Sequence, residues 1–303
     1  MKKMLLIVVL TLLSAFVFAQ ERIAVPANMV LVEGGTFQMG TDSGKERNER
    51  PVHTVTVKSF YIGKYEVTQK EWYEIMGTTL RQQREMAIKN AYYNVYIIEG
   101  NNYPMYIMNW YEAAEYCNKL SQKEGLTPAY TIDKTLSDPN NKSPSAPNKD
   151  KDNSYDDVRW LVTWNQNANG YRLPTEAEWE FAAKGGTRDP KTIYSGSNSV
   201  GYVAWYKENT NGSGMKPVGR KAANSLGIHD MSGNVWEWCW DWYGDYSSEA
   251  QTNPVGPDTG VYRVIRGGSW VNEAALIRSA NRGSVIPSLR GNGLGFRVVR
   301  NAN

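Results

Sequence analysis

The chain has 303 residues and a formal net charge of +3, from 34 Lys and Arg against 31 Asp and Glu. So balanced a charge does not favour a nucleic-acid-binding protein, and two cysteines are too few for a disulfide framework. The length allows one large domain or two small ones, and it is sufficient for a sizeable buried core.

The first residues predict export. Lys2 and Lys3 precede an apolar run that ends at Val17, and small residues stand before Gln20. This order is typical of a secretory signal peptide, which we assign to residues 1–19. The apolar run is shorter than the ~20 residues that a membrane-spanning helix needs. We therefore expect an exported protein, in the periplasm, on the cell surface or secreted, with no transmembrane segment and no nucleic-acid partner.

Short strands are predicted near the start of the mature chain. VLVEGGTFQMGT and VHTVTV carry alternating apolar residues on either side of a polar loop, a pattern typical of a hairpin. The next segment, YIGKYEVTQKEWYEIMG, changes from strand to helix. Thr68 and Glu71 form a capping box there, and Gly77 ends the helix.

Two more helices, over MNWYEAAEYCNKLSQKEGL and YRLPTEAEWEFAAKGG, also begin with capping boxes. The capping pairs are Asn109 with Glu112 and Thr175 with Glu178. In the first helix one apolar stripe is formed by Ala113, Tyr116, Cys117 and Leu120. Cys117 is therefore predicted to be a core residue. With Cys239 it either forms a disulfide or remains one of two buried free thiols.

The second half of the chain contains two irregular segments. Residues 133–157 are almost wholly polar, and we interpret them as a surface insertion between the strands AYTI and VRWLVTWN. Near the C-terminus, YRVIRGGSW and LGFRVVR predict two strands. Residues 271–293 between them have neither helical nor strand periodicity. This stretch is predicted to be a surface loop, and such loops often carry function.

Few side chains offer the chemistry of a hydrolase. His53 and His229 are the two histidines, each without neighbours at metal-ligand spacing, and there is no G-x-S-x-G nucleophile motif. The segment GIHDMSGNVWEWCWDWYGD places four carboxylates among four Trp. These carboxylates either accept hydrogen bonds from backbone amides around a packed aromatic core or supply oxygen ligands to Ca²⁺.

The order of several long motifs resembles the formylglycine-generating-enzyme (sulfatase-modifying factor) family. The motifs are VEGGTFQMGT, YIGKYEVTQKEWYEIMG, MNWYEAAEYCNKLS, YRLPTEAEWEFAAKGG, GIHDMSGNVWEWCWDWYGD, VIRGGSW and LGFRVVR. The resemblance implies one α+β domain over residues 20–303, with a C-type lectin fold of the formylglycine-generating-enzyme type, few helices and short antiparallel strands. In that family the loop matching DMSGNVWE binds Ca²⁺. The resemblance therefore also implies a structural calcium site with the ligands Asp230, Gly233, Val235 and Glu237.

The resemblance fails at the catalytic cysteines. Enzymes of the family carry two cysteines, five residues apart, that bind copper and exchange with the substrate thiol, and the matching positions here hold Asn272 and Ile277. Neither side chain can ligate Cu(I) or form a disulfide. We therefore expect no catalytic residue, no copper and no enzymatic activity.

The C-terminal segment, residues 266–300, also resembles the variable region of diversity-generating-retroelement proteins. In those proteins a template rich in Asn codons is copied with changes at adenines. Such codons yield no Lys, Gln, Glu, Met or Trp. None of these five occurs from Leu276 to Gly293, although Glu273 lies outside the set. The resemblance implies fixed supports, paired with carboxylates or carbonyls beneath the loop, at Arg278, Arg282, Arg290 and Arg297. It implies ligand-binding positions at Val271, Asn272, Glu273, Leu276, Ile277, Gly283, Ser284, Val285, Ile286, Ser288, Leu289, Gly291, Asn292 and Gly293.

Two interpretations of the apolar loop residues remain open, since they either contact a ligand or pack the loop onto the core. We expect an exported, non-catalytic binding protein with a diversified loop, whose unknown ligand is a protein or another macromolecule at the cell exterior. One alternative is a formylglycine-generating oxidase or sulfatase-maturation factor, which the missing cysteines disfavour. Another is a structural protein of the cell envelope that kept the fold.

Overall fold

The computed structural model describes residues 28–43, 46–88, 97–143 and 158–302. The predicted signal peptide, residues 1–19, lies outside the described residues, as do residues 144–157 of the predicted insertion. Within the described ranges, no helix is both long and apolar enough to cross a membrane.

Short strands outnumber helices in the described part of the chain. The strands are β1 (Met29–Val32), β2 (Gly35–Met39), β3 (His53–Val57), β4 (Phe60–Gly63), β5 (Tyr130–Ser137), β6 (Trp160–Trp164), β7 (Tyr171–Arg172), β8 (Trp236–Trp242), β9 (Gln251–Thr252), β10 (Arg263–Arg266), β11 (Arg282–Val285), β12 (Leu294–Gly295) and β13 (Val299–Asn301). The helices are α1 (Gln69–Met76), α2 (Leu80–Ile88), α3 (Trp110–Lys123), α4 (Glu176–Ala183), α5 (Val200–Val203) and α6 (Lys207–Thr210).

The strands form small sheets that are mostly antiparallel. One four-stranded sheet has the order β1-β4-β13-β7 and another the order β11-β10-β8-β12, in which β12 runs parallel to β8. Three strands pair as β2-β3-β9 and two as β5-β6. The predicted hairpin is the antiparallel pair β2–β3. Few helices and many short strands agree with the predicted α+β class.

The sheet that contains β8 lies between two hydrophobic cores. Successive strand residues point to opposite faces. On one face Trp238 and Ile265 belong to the larger core, which also includes residues of α1 and α3. On the other face Cys239 and Val264 belong to a smaller core with α4. The loop that follows β10 therefore starts from a strand that is buried on both faces.

The three predicted capping boxes are confirmed. In each, the side chain of the cap residue accepts a hydrogen bond from the N–H of the third helical residue, a glutamate. The carboxylate of that glutamate accepts one from the N–H of the cap residue. Gly77 ends α1 in the left-handed conformation, with φ of 72°. Helix α2 was not predicted. Its buried positions are Leu80, Gln83 and Ala87, and the polar Gln83 interrupts the apolar periodicity that would have indicated a helix.

The described part of the predicted insertion, residues 133–143, lies mostly at the surface, with a few residues that turn inward. Strand β5 continues to Ser137, which pairs with Trp160. Asp138 and Asn141 then turn inward and are buried. Asn141 donates a 2.9 Å hydrogen bond to the hydroxyl of Tyr111. The polar composition thus agrees with a mostly exposed segment, and it does not indicate which residues form internal hydrogen bonds.

Candidate ligand-binding surface

The predicted variable region is held by arginine–glutamate pairs whose glutamates lie outside it. Arg278 donates through both Nη atoms to Glu49, at 2.8 and 2.6 Å. Arg282 donates through Nε and Nη2 to Glu176, at 2.5 and 2.7 Å. Two parallel bonds between a guanidinium and a carboxylate fix the relative orientation of the two groups as well as their distance.

The second half of the region is attached in the same way. Arg290 donates to both oxygens of Glu112, at 2.6 and 2.7 Å. Arg297 does so to Glu237, with both distances 2.7 Å. The predicted pairing of these arginines with carboxylates is confirmed. Each pair is largely withdrawn from water, with every side chain at most 17% exposed in the four ion pairs.

Two consecutive glycines turn the chain out of β10 and into the loop. Gly267 and Gly268 have φ values of +90° and +73°, a conformation that favours glycine. A Cβ on Gly268 would lie 2.4 Å from Cγ2 of Ile277 and 2.7 Å from the carbonyl oxygen of Leu276. Glycine therefore allows the far side of the loop to pack directly on this turn.

Asn272 stabilises the turn at one of the two positions where related enzymes have cysteine. Its Oδ1 accepts the N–H and the hydroxyl of Ser269, both at 2.8 Å. Its carbonyl oxygen accepts the N–H of Lys207 at 3.0 Å. Asn272 is half-buried, so its side chain shapes the loop and is only partly available to a ligand.

Ile277, at the other cysteine position, does not fit the prediction of ligand contact. It is fully buried and forms a small apolar cluster with Val203 and Ala204, at the end of α5. Its side chain attaches the loop to the α5 segment. For this residue the interpretation as loop packing is the correct one.

Ser288 and Gly293 also lie beneath the surface. Ser288 is 9% exposed. Gly293 is buried with φ of +125°, which a residue with a side chain rarely adopts, and a Cβ there would lie 3.2 Å from Nε1 of Trp270. We conclude that Gly293 is required by the backbone and does not present a side chain to a ligand.

The remaining predicted positions reach the surface to different extents. Val271 is 48% exposed and Leu276 is 36% exposed. Glu273 and Asn292 are exposed as well. The half-buried positions are Asn272, Gly283, Ser284, Val285, Ile286, Leu289 and Gly291. Eleven of the fourteen predicted positions are thus at least partly accessible, and we call these eleven the loop surface.

No cysteine lies in the loop. The chain has two, Cys117 and Cys239, and both are free and fully buried in the cores, which decides between the two predicted alternatives. Burial raises the pKa of both thiols well above the ordinary value. A thiol needs its thiolate form to act as a nucleophile or a copper ligand. Neither cysteine can replace the two that are missing at Asn272 and Ile277.

The two predicted calcium ligands that would bind through side chains, Asp230 and Glu237, have other hydrogen-bond partners in this structure. Both oxygens of Glu237 accept hydrogen bonds from Arg297, and Oε2 also accepts the indole N–H of Trp179. Burial raises the pKa of Asp230 to about 6, and its Oδ2 accepts the N–H of Gly219. Ca²⁺ needs six to eight oxygen ligands. Among the described residues, no three or more His, Cys, Asp and Glu side chains form a group that could hold a metal. The structural calcium site remains a prediction.

The glutamates that hold the arginines were missed as a set. Helix α4 carries Glu176 and Glu180 among the apolar residues Ala177, Trp179 and Phe181, and both glutamates are buried. Arg266 on β10 donates to both of them. The sequence did contain a signal, because a helix that is buried on all sides must pair its charged residues.

A helix-poor framework of short strands that carries an irregular C-terminal loop defines a C-type-lectin-like architecture. The chain belongs to the family described as the sulfatase-modifying factor enzyme 1-like domain, which matches residues 15–302. The solved structure of Treponema denticola variable protein 1 is similar to it, with a TM-score of 0.71 and 32% identity, over 90% of this chain and 95% of that one. The predicted fold, a C-type lectin fold of the formylglycine-generating-enzyme type, is confirmed.

Relatives in the family carry different names. Chaperone protein LppX of Paenibacillus barcinonensis is 40% identical over 289 residues, which are 90% of this chain and 89% of that protein. The formylglycine-generating enzyme of Bos taurus is 27% identical, over 90% of this chain and 75% of the enzyme. Family membership alone therefore does not decide the function, and the site must.

Proposed function

We propose that this protein is an exported, non-catalytic binding protein whose C-terminal loop presents a diversified surface to a macromolecular ligand. The observation that carries the proposal is that one group of loop residues attaches the loop to the scaffold while another group is exposed. Arg278, Arg282, Arg290 and Arg297 hold the backbone through glutamates of the scaffold. Val271, Leu276 and Asn292 have exposed side chains that take no part in this attachment. They can change with little effect on folding.

The composition of the loop surface supports a binding role. It combines exposed apolar groups, such as Val271 and Leu276, with polar ones on a backbone that is fixed at several points. A surface that is ordered before binding loses less conformational entropy when a ligand docks. The similarity to a protein named a variable protein adds to this support, because the similarity extends over nearly the whole of both chains.

Formylglycine-generating oxidase activity is the main alternative. It would require thiolate chemistry at positions that hold Asn272 and Ile277, one of them engaged in a turn and the other fully buried. A chaperone role, suggested by the name of the 40% identical relative, would also use a binding surface. A chaperone would keep one loop sequence, whereas a variable protein would not.

Sequencing tests the diversification directly. The gene segment for residues 266–300 should be amplified from a cell population and read deeply. We expect substitutions at the loop surface and constancy at the four arginines. The neighbouring DNA should contain a near-copy of the segment that differs at adenines, beside a reverse transcriptase gene. An invariant segment without such a template would contradict diversification and leave a binding role with a fixed loop.

Mass spectrometry tests the absence of catalysis. The protein should be incubated with copper and a peptide carrying the sulfatase motif, with an active formylglycine-generating enzyme as the positive control. We expect the peptide cysteine to remain unmodified. Detection of formylglycine above the protein-free control would overturn the non-catalytic assignment.

A further inference from the structure

A second concave site lies apart from the loop surface. A cavity of about 270 Å³ has walls formed by the rings of Tyr65, Tyr116 and Tyr171, and we call it the tyrosine cleft. Its other residues come from β1, α1, the C-terminal end of α3, the segment from Gly63 to Val67, and Val298, and none is a predicted variable position. Its volume is below the ~300–1,000 Å³ of sites for drug-sized ligands, so it suits a single side chain.

Carboxylates surround the tyrosine rings. Glu66, Glu71, Glu74 and Glu124 line the cleft, against one lysine, Lys123, and burial raises the pKa of Glu66 well above its ordinary value. Glu71 accepts its capping bonds from Thr68 through Oε2. Glu124 also uses Oε2, which accepts a 2.6 Å hydrogen bond from the Tyr171 hydroxyl. Glu74 is half-exposed and pairs only loosely with a lysine, at 3.8 Å. The acidic groups thus retain oxygens for a further donor, and the cleft as a whole repels anions.

The hydroxyl of Tyr116 has no hydrogen-bond partner among the described residues. The residue is 2% exposed and lines the cleft, and its ring stacks on Trp72 with an interplanar angle of 3°. The hydroxyl is not among the fully enclosed polar atoms that lack a partner, so it has access to the space of the cleft. Burial raises the pKa of the hydroxyl well above its ordinary value, and the charges of Glu71 and Glu74 add to this effect. It therefore remains a neutral hydroxyl that can accept a hydrogen bond from a donor inside the cleft.

We propose that the tyrosine cleft binds a lysine or arginine side chain of a partner polypeptide. Aromatic faces attract cations, and the surrounding carboxylates supply the opposite charge. The apolar walls, including Ile75, Leu120 and Val298, suit the methylene stem of such a side chain. A wider depression of about 580 Å³ adjoins the cleft, shares Tyr65, Glu71 and Glu74 with it, and provides room for the main chain of the partner.

Ligand-observed saturation-transfer NMR on the full chain tests the site at low ionic strength. The probes are acetylated, amidated tripeptides with Lys, Arg or norleucine between two glycines. We expect saturation of the methylene protons of Lys and Arg and little for norleucine, whose stem is similar but uncharged. Absence of transfer to the basic peptides, or equal transfer to norleucine, overturns the proposal.

Two variants locate the binding. Tyr116→Phe removes the unpartnered hydroxyl while keeping the ring, and we expect roughly threefold to tenfold weaker binding with an unchanged or higher Tm. Glu74→Lys reverses a rim charge and should weaken binding to a similar extent. Glu249→Lys makes the same charge reversal at an exposed site outside the cleft and should have no effect. Binding that survives both cleft substitutions unchanged would place the peptides elsewhere.

Discussion

Two ion pairs of the loop differ in their exposure to water. The side chain of Arg278 is 17% exposed and that of its partner Glu49 is fully buried. Lys207 and Glu273 also pair, at 3.0 Å, but their side chains are 58% and 65% exposed. A buried carboxylate that loses its partner remains desolvated, whereas an exposed one is solvated again.

We therefore expect Arg278→Gln to lower the free energy of unfolding by about 3–5 kcal/mol. Lys207→Gln should lower it by less than about 1 kcal/mol. Urea denaturation of the two variants measures both values. Adding Glu49→Gln to Arg278→Gln should recover part of the loss, because no charge then remains buried. Equal effects of the two single substitutions would contradict this account of the loop supports.

Asp241 is a carboxylic acid at a position where ionisation is unfavourable. It is 3% exposed, and burial together with the charge of Glu176 raises its pKa to about 8. Its Oδ2 accepts the N–H of Glu176 at 2.8 Å. The folded state therefore retains a proton that the unfolded state releases above about pH 4. The stability that this neutral acid contributes is fully present at low pH and is lost as pH rises toward 8.

Replacement of Asp241 by Asn should remove this dependence on pH. Relative to the variant, the wild-type protein should lose up to about 4 kcal/mol of unfolding free energy between pH 5 and pH 8, at about 1.4 kcal/mol per unit. Urea denaturation at the two pH values gives the difference, and Asp245→Asn, at an exposed position, controls for net charge. A difference that does not grow with pH would show that Asp241 is ionised in the folded protein.

The structural elements that depend only on residues adjacent in the sequence were the most predictable. A capping box such as Thr68 with Glu71 needs only a four-residue segment, and all three were found. Helix α2 was missed because Gln83 occupies its buried face, where it bonds to Thr78 and accepts from Arg290 of the loop. Its partner comes from the far end of the chain, and no local pattern reports such a contact.

The turn between β10 and the loop allows a controlled test. Gly268 and Gly77 have nearly the same φ, 73° and 72°, but a Cβ meets Ile277 at Gly268 and nothing within 4 Å at Gly77. Gly77→Ala should therefore cost only the conformational strain, about 1 kcal/mol. Gly268→Ala should cost clearly more, about 3 kcal/mol, because the loop must also move. Thermal unfolding of both variants measures the difference, and equal losses would show that the loop does not pack on this turn.

Over the whole molecule, the loop arginines could be predicted and their partners could not. The resemblance to variable regions implied that the arginines are fixed supports, and it did not identify the residues that bind them. Glu49 and Glu112 lie more than 170 residues from the arginines they bind, and only the assembled fold brings them together. The burial of Ile277 has the same origin, since its neighbours belong to α5. The sequence therefore did not indicate that Ile277, one of the predicted ligand-binding positions, is buried.

The effect of calcium on the stability of the whole molecule depends on the buried ion pair between Arg297 and Glu237. Both oxygens of Glu237 are engaged by the guanidinium, so a calcium ion would have to displace a buried bidentate contact. The engaged carboxylate predicts the same Tm in millimolar calcium and in excess EDTA, whereas the site implied by the resemblance predicts a higher Tm in calcium, with magnesium as the control for ionic strength. A rise in Tm with calcium alone would establish the implied site and require Glu237 to change its partner.

The arginine–glutamate pairs also set the rules for exchanging this segment between proteins. Residues 266–300 bring the guanidiniums, and the recipient must already carry carboxylates at the places of Glu49, Glu112, Glu176 and Glu237. A recipient that has all four could accept grafts that differ at the exposed positions Val271, Glu273, Leu276 and Asn292. One that lacks a single acid would bury an unpaired cation. The four acids are therefore a compatibility test for chimeras of this fold, and they can be read from a relative before any chimera is made.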